Sequence, residues 1–315
     1  MRLGSALLLA LLLAACSKGD KTAKGDDAAP ARASQPSRQT SEQVEQVLIS
    51  DLTIRETDNP LGYQLYREQL AQRLGRQLTG SGLFFALPNQ TDPMRPARRA
   101  KIELVVSYER IPAGSTGKPS LLAAVEGRVT WEGDDEPFLR ENLVGERVLE
   151  GEKPEDLPKI GAAHVATTVE EIGRGLIAQE KLRGGPLTSL VATLEGGHSD
   201  PNLLRFALMQ VGERPLEGAV GLAARHLGSK HPAVRSEAIA ALVRLKDPAA
   251  VDPLTKSVEF DDYDSVRAVV EAAAAIGGED AEAYLDFVAS GHPDDGIKKR
   301  AKEALERLQR KRTEE

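Results

Sequence analysis

The chain has 315 residues and a formal net charge of −7, and 41% of its residues are hydrophobic although only 4% are aromatic. That length allows about two ordinary domains behind a leader. Acidic and basic residues are spread evenly along the chain, so neither half offers the concentrated positive charge that nucleic-acid binding requires.

The first residues have the pattern of a secretory signal peptide. Met1 and Arg2 give a basic start, residues 3–15 are apolar or small, and this run ends directly before Cys16, the single cysteine of the chain. The run is shorter than the roughly 20 apolar residues that a membrane-spanning helix needs. The sequence Leu-Ala-Ala-Cys at 13–16 resembles the lipobox of bacterial lipoproteins.

The lipobox resemblance implies a lipid anchor. In that family the signal peptide, here residues 1–15, is removed, the Cys16 thiol takes a diacylglyceryl group, and the new amine is acylated with a fatty acid such as palmitate. Two or three acyl chains anchor stably, whereas one anchors only marginally. Ser17, not Asp, follows the cysteine, which by the enteric sorting rule implies the outer membrane, facing the periplasm. The alternative is an ordinary cleaved signal with an incidental cysteine.

Residues 16–43 are predicted to be the lipidated cysteine and a disordered tether. Beyond Cys16 the segment is rich in Lys, Asp, Ala, Ser, Gln and Pro and has no apolar periodicity. It cannot bury enough surface to offset the entropy of ordering. Its mean span is on the order of 30 Å, which lets a folded part stand off from the lipid.

Residues 44–185 predict an α+β domain with the element order β-α-β-β-β-β-α. The predicted strands are 44–54, 83–87, 101–110, 121–131 and 138–149, and the predicted helices are 61–78 and 158–182. The alternation of apolar and polar residues in the last three strands predicts an antiparallel meander. We expect the helices to lie against one face of the sheet.

Two patterns in this domain assign residues to faces. In the first strand, Leu48, Leu52 and Ile54 are predicted to share one face, and Val47 and Ile49 the other. In the first helix, spacings of three and four predict a single stripe. Its members are Tyr63, Tyr66, Leu70, Leu74 and Leu78.

The first helix and the Ser-Gly-Leu-Phe segment at 81–84 carry a second resemblance. Together they resemble the small α+β domains of periplasmic lipoproteins that activate peptidoglycan synthases or build secretion pores. The resemblance implies a regulator or assembly factor of a cell-envelope machine. It transfers no functional residue to this chain.

Residues 186–311 contain an internal repeat, and a short tail follows at 312–315. A basic residue recurs at intervals of 30, 32 and 31 residues, with a small or apolar residue three positions after each. The recurring residues are Arg205, Arg235, Arg267 and Lys298. The pattern Ala-Leu-x-x-Leu also recurs, at 241–245 and 304–308. A fixed period of this length predicts stacked units, here about four pairs of helices.

The x-Val-Arg-x-x-Ala core of this pattern resembles HEAT repeats of the short type found in phycobilisome lyases. The resemblance implies an all-α solenoid in which the four recurring basic residues bond between neighbouring units. It also implies protein partners on an extended concave surface. Lyase activity does not carry over, because the repeats have no cysteine to attach a chromophore. Repeat three departs from the pattern, with Gly277 where repeat two has Leu245.

Beyond the signal peptide, the chain lacks Gly-x-Ser-x-Gly, His-x-x-x-His and a phosphate-binding loop. No motif of a catalytic, cofactor or metal site therefore stands out. We therefore expect a non-catalytic scaffold without cofactor, metal, nucleic acid or evident small-molecule substrate. Two further hypotheses stay open: a regulator that acts through the α+β domain, and an enzyme whose site no motif shows. The basic C-terminal helix is either a contact to anionic lipid or cell-wall polymer, or a solvated end with charge that favours its helix.

Overall fold

A computed structural model gives the fold of residues 45–58, 65–196 and 200–314. The predicted signal peptide, Cys16 and the tether lie outside these residues. Contacts group residues 43–315 into one compact unit, so the predicted domain boundary at 185/186 stays a prediction. In the described part of the chain, no helix is both long and apolar enough to cross a bilayer.

The first part of this unit confirms the predicted order β-α-β-β-β-β-α. Its elements are β1 Gln46–Asp58, α1 Arg67–Gly80, β2 Phe84–Phe85, β3 Ala97–Ile111, β4 Ser120–Trp131, β5 Pro137–Val148 and α2 Leu157–Gly184. The strands form one sheet in the order β2-β1-β3-β4-β5. β1 runs parallel to β2 and β3, whereas β3, β4 and β5 form the predicted antiparallel meander.

One face of the sheet is covered by α1 and α2, and the core lies between these layers. The apolar side chains that β3 and β4 direct toward the helices are buried. They are Ile102, Leu104, Val106, Tyr108, Ala123, Val125, Val129 and Trp131. From α2 the buried stripe is Val165, Val169, Ile172 and Leu176. Each large side chain buried in this way contributes about 1.5–3 kcal/mol, so this interface holds the first part together.

β1 differs from its predicted faces because it contains a β-bulge at Ser50. Its pairing with β3 shifts between Ile49 and Asp51, and the Ser50 hydroxyl donates to the Ala100 carbonyl at 3.1 Å. An extra residue in one strand reverses the alternation beyond it. Ile49 and Leu52 therefore line the same cleft beside α1, and the prediction that put them on opposite faces is wrong.

α1 buries Leu70, Leu74 and Leu78 as predicted, but the predicted stripe does not extend to Tyr66. The helix begins at Arg67, and Tyr66 ahead of it is 57% exposed. A side chain outside the helical backbone does not follow the helical period. Tyr63, the remaining member of the predicted stripe, lies outside the described residues.

The second part is all-α and consists of four successive helix pairs, as predicted. The helices are α3 Leu187–Glu195, α4 Pro201–Met209, α5 Ala219–Ala224, α6 Pro232–Leu245, α7 Val251–Lys256, α8 Tyr263–Ile276, α9 Glu279–Gly291 and α10 Asp295–Glu314. The second helices of successive pairs pack on one another: α4 on α6, α6 on α8, and α8 on α10. Each unit thus buries its apolar face against the next one, which is how a solenoid is stabilised.

Gly277, which departs from the repeat pattern, ends α8. Gly277 and Gly278 have φ values of 80° and 95°, a left-handed backbone that other residues adopt only with strain. In repeat two, Leu245 is the last helical residue, and Lys246 takes the left-handed position with φ 50°. The helix of repeat three therefore ends one position earlier in the repeat.

Candidate functional site

Repeats one and two are joined by hydrogen bonds from Arg244, which lies in α6, the second helix of repeat two. Its Nη2 donates to the carbonyl of Leu208 at 2.8 Å, and its Nε donates to the carbonyl of Val211 at 3.3 Å. These acceptors lie at the end of α4 and just beyond it, where helix carbonyls have no partner within the helix. The guanidinium also contacts the carboxylate of Glu237 at 3.0 Å. Arg244 therefore fixes the end of α4 to α6.

Arg307 occupies the position in α10 that Arg244 has in α6, in the shared Ala-Leu-x-Arg-Leu pattern. Its guanidinium nitrogen lies 3.4 Å from a carboxylate oxygen of Glu271 in α8. Both arginines thus bond to the preceding second helix. The sequence shows this pattern, but the arginine recurs in only two of the four units and therefore does not stand out as a repeated residue.

Two histidines make corresponding bonds from positions just beyond the first helices of their units: His226 follows α5, and His292 follows α9. The Nε2 atom of His226 lies 2.8 Å from the carbonyl oxygen of Leu194, and that of His292 lies 3.1 Å from the carbonyl oxygen of Phe260. Each bond spans 32 residues, which is one repeat. The signal in the sequence was their separation of 66 residues, about two repeats.

The four recurring basic residues are the fourth or fifth residues of α4, α6, α8 and α10. Arg235 donates to the carbonyl of Ser229 at 2.8 Å, a residue of the loop before its own helix. Arg267 pairs with Asp264 at 2.9 Å, three residues earlier in α8. These partners belong to the same unit as the basic residue.

Lys298 also pairs locally, with Asp295 at 3.3 Å. One electrostatic interaction reaches a neighbouring unit. The pKa of Asp262, before α8, is lowered mainly by the Ser265 hydroxyl and, more weakly, by the positive charge of Arg235. The bonding of the recurring residues between units, including that of Arg205, stays a prediction.

A buried carboxylate joins the sheet to the repeats. The side chain of Glu141 in β5 is only 5% exposed, and its two oxygens accept from Gln179 Nε2 of α2 at 2.6 Å and from Asn202 Nδ2 of α4 at 2.7 Å. Burial, together with the nearby charge of Asp200, raises the pKa of this carboxyl. Three elements therefore meet at one acid.

Glu141 lies in a cleft of about 490 Å³ between the sheet, α2 and α4. The lining residues are Glu141, Leu143, Glu171, Arg174, Gly175, Ala178, Asp200, Asn202 and Leu203. A Cβ atom on Gly175 would lie 2.7 Å from the Glu141 carboxyl carbon, so this glycine makes room for the acid. Gly175, the last residue of a Gly-Arg-Gly segment at 173–175 of α2, therefore serves packing.

The acid in this cleft is engaged in bonds between elements. Its lining contains no Ser, Cys, His or Lys side chain, and both oxygens of Glu141 already accept hydrogen bonds. Among residues 45–58, 65–196 and 200–314, no group of three or more His, Cys, Asp and Glu side chains is arranged to hold a metal ion. The arrangement is suited to joining elements.

Arg214 connects the two parts a second time. From the loop after α4 it donates to the carbonyls of Leu182 and Gly185, each at 2.8 Å. Burial, and secondarily the charge of Arg183, lowers the pKa of this guanidinium. Arg214 thus donates to carbonyls at the end of α2 in the same way as Arg244 donates to carbonyls at the end of α4.

Comparison with known families identifies the helical part. Residues 187–275, from the start of α3 into α8, match the family model of HEAT repeats. The match covers less than a third of the chain. The same paired arrangement continues through α9 and α10. No curated protein matches the chain.

We expect Arg244→Met to lower the free energy of unfolding by about 1.5–3 kcal/mol, because it leaves helix-end carbonyls without their charged donor. Urea denaturation of the full chain measures this change. The control is Lys256→Met, which removes an exposed pair with Asp252 inside α7 and should change stability by no more than about 0.5 kcal/mol. Equal losses of unfolding free energy in the two variants would contradict the conclusion that Arg244 joins repeats one and two.

We expect Glu141→Gln to flatten the pH dependence of stability. A raised folded-state pKa means that the native chain loses relative stability as the pH rises from the ordinary carboxyl pKa of about 4.3 through the raised value. The variant does not titrate here, so its free energy of unfolding relative to the parent should increase from about pH 4 to pH 7. Urea titrations at each pH give the difference.

The control for this prediction is Glu146→Gln on the same strand. The Ser115 and Ser120 hydroxyls lower the pKa of Glu146, so its contribution is present above the ordinary carboxyl pKa and lost as the pH falls. This variant should therefore be less stable than the parent at neutral pH and approach it in acid. The same sign in both variants would rule out the electrostatic assignment of Glu141.

Proposed function

We propose that this chain is a lipid-anchored protein of the bacterial cell envelope that acts as a non-catalytic scaffold for protein–protein interaction. The observation that carries the proposal is the stack of helix pairs in 187–314, of which 187–275 match HEAT repeats. Proteins of this repeat family generally bind other proteins and are not enzymes. Partners dock on an extended, concave surface of the stacked helices.

The sequence before the folded unit supports the anchor. Cys16 follows a short apolar signal with the Leu-Ala-Ala-Cys pattern, and lipid on this residue tethers the folded part through residues 17–43. With Ser17 next to the lipid, the chain is retained at the outer membrane and faces the periplasm. A scaffold placed there meets partners of the envelope.

A second candidate function is a regulator of an envelope machine that acts through the α+β part. The observation that favours it is the sheet face opposite the helices. There Val144 is 65% exposed and lies across from Ala124 of β4, next to the ion pairs of Glu126 with Arg128 and Arg140 at 2.6 and 3.6 Å. Val144 is the exposed apolar side chain on this face that a partner would cover.

The anchor is tested with Cys16→Ser. We expect the parent to incorporate an alkyne analogue of palmitate and to sediment with membranes, and the variant to do neither, because serine has no thiol to acylate. Ser17→Ala is the control and should behave like the parent. A parent chain that is released in soluble form without label means that the cysteine is incidental and the anchor is absent.

The scaffold is tested by photo-crosslinking in cells with the full chain. A crosslinking amino acid replaces Met209 or Phe287 on the repeats, or Met94 or Val144 on the α+β part, all of them 43–79% exposed. We expect protein adducts from the repeat positions. Adducts from Met94 and Val144 alone favour the regulator over the scaffold. Single residues are replaced in the full chain, and neither part is deleted, because Arg214 and Asn202 hydrogen-bond the two parts together.

A further inference from the structure

Aromatic side chains gather at one place on the repeats, although the chain has only six Phe, five Tyr and one Trp. The ring of Phe260, between α7 and α8, lies 5.3 Å from that of Phe287 in α9 and 4.7 Å from that of His292. The ring of Tyr263, at the start of α8, lies 5.0 Å from His292. We refer to Phe260, Tyr263 and Phe287 as the aromatic patch.

The aromatic patch faces solvent. Phe287 is 58% exposed and Tyr263 is 38% exposed, whereas most large apolar side chains of the repeats are buried. Exposed aromatic side chains supply large contact area at small entropic expense, and they dominate binding energy at protein interfaces.

His292 holds the patch in one arrangement. The imidazole is fully buried, and its Nδ1 accepts from the backbone N–H of Asp294 at 3.0 Å. Since a backbone N–H can only donate, the ring hydrogen is on Nε2, which donates to the Phe260 carbonyl at 3.1 Å. The loops that present Phe260 and Tyr263 are therefore fixed to the end of α9, and the surface is formed before a ligand arrives.

The surroundings of the patch are strongly acidic. The segments that carry or adjoin the rings, 259–264, 279–291 and 292–296, contain ten Asp and Glu residues and no Lys or Arg. Asp261 and Asp286 are exposed and directly adjoin Phe260 and Phe287 in the sequence. Three basic residues outside these segments pair with acids of the same surface: Arg267 with Asp264, Lys298 with Asp295 and Arg312 with Glu282. The other seven acids of the segments outnumber the cations and leave the rim negative.

We propose that the aromatic patch docks an arginine-rich segment of a partner protein. A guanidinium stacks on an aromatic face and is attracted by the ring, and the acidic rim complements its charge and steers its approach. An anionic membrane is repelled by the same rim, and a purely apolar helix would leave these carboxylates desolvated. The inference rests on the proposed scaffold function and adds the site and the chemistry of the partner.

The test measures binding of a fluorescein-labelled peptide with six Arg-Gly repeats to the purified full chain, by fluorescence anisotropy. We expect saturable binding that weakens with salt, and a loss of affinity of about tenfold or more in Phe287→Ala, as for an interface anchor. Phe287→Tyr keeps a ring and should bind like the parent. Met94→Ala, at a 79% exposed site in the α+β part, should also bind like the parent.

Several outcomes overturn the proposal. Absence of peptide binding, or equal binding by Phe287→Ala and the parent, means that the patch does not dock such a segment. If light scattering shows self-association that Phe287→Ala abolishes, the occupant is the basic α10 of a second copy instead. The crosslinking experiment separates this failure from that of the scaffold: adducts from Phe287 without peptide binding retain the scaffold and reject the cationic partner.

Discussion

The carbonyl groups at helix C-termini are the constraint on which the rest of this structure depends. They have no partner inside their own helix, and a buried one that stays unbonded is destabilising. In this chain, a side chain about one repeat further along supplies the donor. Arg214 bonds to the end of α2, His226 to the end of α3, and Arg244 to the end of α4. The ends of α2, α3 and α4 are thus completed by side chains from further along the chain.

The same rule explains why the α+β part and the repeats form one compact unit. α2 is the last helix of the first part, yet its end is bonded from the loop after α4 as if it belonged to the repeats. Asn202 of α4 reaches back to β5, where it donates to the Glu141 carboxylate and to the Asn142 carbonyl. The second bond also covers part of the open edge of β5, which would otherwise be free to pair with another strand.

This construction has a consequence for function. Because the sheet and the repeats share buried polar contacts, the two proposed interaction surfaces have a fixed relation within one unit. A scaffold that meets one partner through the repeats can present the open sheet face to a second one. No conformational change inside the unit is needed to form either surface.

The sequence by itself determined the element order, the meander and the four helix pairs, because each rests on a local period of two or of about 3.6 residues, or on a repeat near 31. It also predicted lipidation of Cys16, because this residue ends a lipobox-like pattern. The bulge at Ser50 was decided by tertiary structure, since pairing with β3 sets the register there. Tertiary structure also decided the roles of Glu141, Arg214, Arg244 and the histidines. Their partners lie 29 to 61 residues away, and no local pattern encodes which distant carbonyl or amide a side chain will meet.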